Sequence, residues 1–159
     1  MKVKHLAYLA LTLSVMAFHM PSLADSTANP ETNTATRTYD KQKVLYHINF
    51  DDPKQLNIAM RNIQNHINAV GQDNIEIKVI MHGAGINLLQ QAKDNLDIQA
   101  QVVQLKSQNV AFKLCNNTLT LRQLDYGTDL FDVQPEDIVT SGVAELAYLQ
   151  QQGYAYIKP

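Results

Sequence analysis

The sequence predicts a small α/β fold: a doubly wound, mostly parallel five-stranded sheet with helices on both faces. Two observations lead there. Apolar, β-branched runs that read as strands alternate with stretches whose apolar residues recur at helical spacing. The connections between strands are too long for hairpins, and parallel strands need such crossovers. Right-handed crossovers then lay helices over both faces.

The elements follow in order. Lys43 to Phe50, KVLYHINF, reads as the first strand. Asp52 can cap a helix that starts at Pro53, where the missing N–H costs nothing. Leu56, Met60, Ile63, Ile67 and Val70 make one apolar face, and Gly71 closes the helix. Ile75 to Met81 is the second strand, ending at His82-Gly83. Ile86 to Ala92 reads as a short helix, and Ile98 to Leu105 as another with Ile98, Val102 and Leu105 on one side. Val110 to Cys115 is the third strand, Asn117 to Leu124 a helix, and Asp137 to Thr140 a short fourth strand. Ser141 can cap a helix over Gly142 to Gln152, with a stripe of Val143, Leu146, Ala147 and Gln150. Gly153 stops it, and Tyr154 to Ile157 is the last strand.

What precedes Lys43 reads differently. Residues 1–24 have a basic start, an apolar run from Leu6 to Phe18 and a small-x-small site ending at Ala24, which together predict a signal peptide. The run is shorter than the about 20 residues that span a bilayer. Residues 25–42 are rich in Ser, Thr, Asn and Ala without apolar period and are expected to be a flexible linker. The domain is expected over residues 43–159, with the mature protein periplasmic or secreted and without a membrane span after cleavage.

Composition excludes several functions. The formal charge is −2, so no basic field awaits nucleic acid. There is no GxGxxG or GxxxxGK[ST] run, which argues against a dinucleotide fold or a P-loop. The single cysteine rules out an internal disulfide and a Cys-rich zinc cage.

In open parallel sheets, chemistry gathers at the carboxyl ends of the strands. Those ends hold Asn49-Phe50-Asp51, His82-Gly83, Cys115-Asn116-Asn117 and Thr140-Ser141-Gly142. Cys115 is the leading candidate: a thiol before a helix start meets free N–H groups that favour the thiolate. Its plainer reading is a small buried hydrophobe. His82 could orient a substrate, donate a proton or bind a metal, or simply be hydrogen-bonded at a turn. His47 is an unusual residue for a central strand, and either has a buried partner or faces the site. His66, beside Ile67 on the first long helix, is expected to be solvated. His47, His82 and Cys115 could in principle form a metal set, but they come from three separate strands without local ligand spacing, so the signal for a metal is weak and none is assigned. Asp51-Asp52 is explained by capping rather than by a catalytic carboxylate pair.

The segment VAFKLCNNTL resembles the signature of the DsrE/DsrF-like sulfur-relay family, in which a strand ends in the reactive cysteine followed by x-Asn-Thr-Leu. KVLYHINFDDP with Asn57 downstream, IEIKVIMHGAGINLL and SGVAELAYLQQQGYAYIKP match the same group in the same order. The resemblance covers residues 43–159 and implies the doubly wound fold reached above. It implies that Cys115 bears sulfur as a persulfide, with His82 and Asn117 as its matching neighbours; His82 is expected to be the second catalytic residue, and Asn117, His47 and Asn57 to bind substrate. It also implies a homo-oligomer, trimer or hexamer, that takes sulfur from a donor protein and gives it to an acceptor without a bound cofactor. Such relays are mostly cytoplasmic, whereas this chain carries an export signal. The alternative is a non-catalytic module that binds a small ligand or metal around His47, His82 and Asn117.

Overall fold

The computed structural model describes residues 37–159, so the predicted signal peptide and residues 25–36 of the predicted linker lie outside the described residues. Residues 37–41 are exposed and without regular structure. The strands are β1 (Gln42–Ile48), β2 (Ile75–Met81), β3 (Ala111–Cys115), β4 (Ile138–Val139) and β5 (Ala155–Ile157). All pair in parallel in the order β4-β3-β2-β1-β5, as the strand-helix alternation predicts. The chain steps outward from β1 to β4 and then returns to the opposite side of β1, so the topological switch lies between β1 and β5.

Helix α1 (Pro53–Val70) begins as expected: Asp52 Oδ1 accepts the Gln55 N–H at 2.8 Å and Pro53 takes the first position. Its buried face contains all five predicted residues, Leu56, Met60, Ile63, Ile67 and Val70, together with Ala59. The predicted helix at Ile86 is a 3₁₀ turn over Gly83–Ile86 that runs into α2 (Asn87–Gln91). Helix α3 (Leu96–Ser107) is capped by Asn95 and buries Ile98, Val102 and Leu105. These three helices meet the β1, β2 and β3 residues Val44, Tyr46, Ile48, Ile77, Val79, Met81, Phe112 and Leu114 in the main core.

Beyond β3 come α4 (Asn116–Arg122), α5 (Tyr126–Asp129) and α6 (Gly142–Gln151). The sequence pattern did not mark α5, whose four residues are held by Asp125 accepting two N–H groups. Helix α6 covers the second face, where Leu146 and Leu149 pack on Leu45, Ile80 and Tyr154. Its buried stripe is Gly142, Leu146 and Leu149, not the predicted one; Val143 is 64% exposed, and Ala147 and Gln150 face solvent. The phase of the helix is set at its start. A Cβ on Gly142 would stand 3.0 Å from His82 Cβ and 3.2 Å from Cys115 Cβ, so any side chain there would have to push its neighbours aside.

One loop beneath the sheet edge is glycine-dependent for a different reason. A Cβ on Gly85 would come 2.0 Å from the Ile48 carbonyl oxygen, which lets the turn after β2 press against the end of β1.

Candidate functional site

Strand pairing delivers the candidate residues to one edge. Cys115 closes β3, His82 follows β2 and His47 sits near the end of β1, three neighbouring strands. Cys115 is also the residue from which α4 springs, so its side chain occupies the position of a capping acceptor facing the second and third N–H groups of the helix. Its contacts are those of a sulfur atom rather than a short oxygen cap.

The electrostatics of the thiol follow from those contacts. Burial pushes Cys115 up, since the residue is 5% exposed. Against that stand the Gly142 N–H, the Thr118 hydroxyl and the N–H groups of Thr118 and Asn117, and the net shift is downward. The sulfur therefore sits between the starts of α4 and α6. Thr118 is buried, and its hydroxyl accepts the Gly83 N–H at 3.0 Å, which leaves the O–H proton for the sulfur.

His82 lies against the same Gly142, with its Cδ2 at 3.4 Å from where a Cβ would stand. Its Nε2 is not bonded to the sulfur; it meets His47 Nε2 at 2.7 Å. His47 in turn meets the Tyr156 hydroxyl through Nδ1 at 2.7 Å. Burial first, then the charges of Lys158 and His82, hold His47 down at about 4. Burial and Lys158 also hold His82 below its ordinary value. Both rings are thus neutral at pH 7. Among the described residues no group of three metal-ligating side chains is arranged to hold an ion.

The other candidates separate. Asn117 gives its N–H to the sulfur, and its side chain is exposed. Asn57 lies on α1, donates to the Pro53 carbonyl at 2.9 Å and accepts from Gln101 of α3 at 3.1 Å, partners that belong to the α1–α3 surface rather than to the sulfur. His66 is not solvated as expected. It is half-buried, bonded to Gln42 Oε1 at 2.8 Å and to the Tyr46 hydroxyl at 2.9 Å, polar contacts that tie α1 to β1. Asp51 accepts from Asn87 at 2.8 Å, and with Asp52 capping α1 the acidic pair is structural.

Thr118, Gly142 and Tyr156 were not singled out as site residues by sequence. The first had a signal: three positions beyond a capping residue, its N–H must face the cap side chain. Gly142 stands at a strand end named above and reaches Cys115 through the pairing of β4 with β3, whereas Tyr156 reaches the site through the pairing of β5 with β1.

A sequence model described as the DsrE/DsrF-like family matches residues 20–159. A solved structure of a protein of unknown function, MTH1491 from Methanobacterium thermoautotrophicum, is similar at 30% identity and a TM-score of 0.65, over 75% of this chain and 100% of that one. A search of curated proteins finds no match. With the match extending over most of its length and the fold shared, the chain belongs to the DsrE/DsrF-like family.

Proposed function

We propose that this protein is an exported sulfur carrier that holds sulfane sulfur as a persulfide on Cys115. Family membership supports a sulfur-relay role. The observation that carries the finer reading is the set of donors around Cys115: three backbone N–H groups and the Thr118 hydroxyl converge on one sulfur. The chemistry needs a thiolate at neutral pH to attack a sulfane donor, and a sulfur that leaves well when an acceptor thiol attacks in turn. The same donors serve both needs. No cofactor is required for either step. The carrier works as a homo-oligomer, trimer or hexamer, with donor and acceptor proteins outside the cytoplasm; light scattering that gives a concentration-independent monomer would count against the assembly.

The test is mass spectrometry of protein purified without reductant and then exposed to inorganic polysulfide. One added sulfur atom on Cys115, removed by reductant and absent in Cys115→Ser, is the expected result. A wild-type protein that never gains it overturns the carrier.

A second reading is a non-catalytic binding module around His47, His82 and Asn117. The low exposure of Cys115, 5%, is the observation in its favour. Alkylation at about pH 6 separates the two, because only an activated thiol reacts quickly below its reference range of about 8.5.

A further inference from the structure

His82, His47 and Tyr156 form an unbroken line of hydrogen bonds across β2, β1 and β5, with both links at 2.7 Å. Each link needs one proton, and a neutral imidazole has a single N–H. The line therefore has two complete arrangements. In one, His82 Nε2–H donates to His47 Nε2 and His47 Nδ1–H donates to the Tyr156 oxygen. In the other, the Tyr156 hydroxyl donates to His47 Nδ1, His47 Nε2–H donates to His82 Nε2, and His82 carries its proton on Nδ1. Passing from the first to the second takes a proton in at His82 Nδ1 and releases one from Tyr156, with no group charged before or after.

The two ends are open and the middle is closed. His82 Nδ1 has no partner among the described residues, and the buried unpartnered side-chain atom is elsewhere, at Asn87 Oδ1. Tyr156 is 44% exposed, whereas His47 is 9% exposed. The charged group facing the middle is Lys158, whose Nζ donates to the His47 carbonyl at 3.4 Å and to Asn49. A cation there disfavours an imidazolium and keeps the line neutral. The outer end lies at the β1–β5 switch, and the inner end belongs to the ring whose Cβ and Cδ2 lie against Gly142, next to Cys115.

We propose that His82, His47 and Tyr156 are a neutral proton wire between the Cys115 edge and solvent, serving persulfide donors on loading and thiol acceptors on unloading. The wire rests on the carrier reading above. In unloading, an acceptor R–SH passes its proton to His82 Nδ1 as its sulfur attacks the outer sulfur of Cys115–Sγ–SH. The Sγ–S bond breaks, R–S–SH and the Cys115 thiolate form, and one proton leaves at Tyr156. In loading, the thiolate attacks the outer sulfur of a donor R′–S–SH, the R′S–S bond breaks, and the departing R′–S⁻ takes the Nδ1 proton of His82 while Tyr156 draws one from water. The sulfane sulfur changes hands without external oxidant or reductant, and each half-reaction resets the wire for the other. His82 is the catalytic residue; His47 and Tyr156 are positioning residues.

The experiment uses the full chain, wild type and Tyr156→Phe, with two readouts. Nitrogen NMR of labelled histidines at about pH 7 should show both rings neutral. Tyr156→Phe should change the tautomer ratio of His82, although the hydroxyl bonds to His47 and not to His82, and leave the His66 signals in place as a control for folding. Sulfur-loaded protein is then offered 2-mercaptoethanol, a protonated thiol at neutral pH, or 4-nitrothiophenol, an ionised one. Tyr156→Phe should slow transfer to the first by roughly tenfold, less than the loss of a directly transferring base, and leave the second unchanged. His47→Asn should give the same selectivity. An unmoved His82 tautomer ratio, or equal slowing with both thiols, overturns the wire. A wild-type protein that takes up no sulfur overturns the carrier instead, and the NMR result alone then decides the wire.

Discussion

The N–H of Gly142 points at the sulfur of Cys115, joining the start of α6 to the end of β3 across the second face of the sheet. The contact is possible because Gly142 has no side chain: a Cβ there would stand 3.2 Å from the Cβ of Cys115. Gly142→Ala should push α6 outward, lengthen this bond and raise the thiol. The expected outcome is a pH–rate profile of alkylation displaced to higher pH, with a stability loss of about 1–3 kcal/mol from overpacking. An unchanged profile in a folded variant would remove Gly142 from the site.

Cys115 itself should titrate below the thiol reference of about 8.5. Iodoacetamide rates between about pH 5 and 10 give the midpoint directly. Thr118→Val should raise that midpoint, because it removes the hydroxyl donor, whereas Thr118→Ser should keep it low. A wild-type midpoint at or above the reference sinks the activated-thiol reading and favours the binding module.

The histidines tie stability to pH. His47, His66 and His82 all have lowered values in the folded protein, His47 at about 4 from the ordinary 6.5. The unfolded chain therefore binds more protons than the folded one between 6.5 and about 4. Their contribution is fully present above 6.5 and is lost as pH falls toward the folded values. Melting temperature should decline from about pH 6.5 downward, ahead of the carboxylate range near 4. A flat melting temperature across that window would contradict the histidine environments.

Gly85→Ala tests the turn after β2. With the Ile48 carbonyl oxygen 2.0 Å from the added carbon, the backbone must separate at the end of β1. A loss of roughly 4 kcal/mol or more, seen as insoluble or unfolded protein, is expected. Gly153→Ala has open space but a φ of +86°, so its cost should be about 1–2 kcal/mol. Denaturant titration of both variants checks the ranking.

Export has its own measurement. N-terminal sequencing of protein recovered outside the cytoplasm should begin at Asp25. Met1 at the start of the exported pool would defeat the signal-peptide reading.

The fold was legible in the sequence because its signals are local. The helical spacing of Leu56, Met60, Ile63, Ile67 and Val70, the Asp52-Pro53 start and the β-branched strands state their elements without help from distant residues. The thiol was legible for the same reason: a cysteine between an apolar strand and a helix start already implies free N–H groups. His66 was misplaced because a helical wheel locates a residue against its own helix, not against Tyr46 and Gln42 of a strand far along the chain.

What the sequence by itself determined was the five strands, the long helices, their alternation and the strand ends at which Cys115, His82 and His47 stand. Only the tertiary structure decided their company. The pairing of β5 with β1 brings Tyr156 and Lys158 to His47, and the return of α6 over the second face brings Gly142 between His82 and Cys115. It also decided that Asn57 faces α3 instead of the sulfur and that Val143 lies outside the buried stripe of α6. These placements depend on where a crossover lands, and that is settled by packing between residues as far apart as His47 and Tyr156, for which a single stretch of sequence has no local pattern.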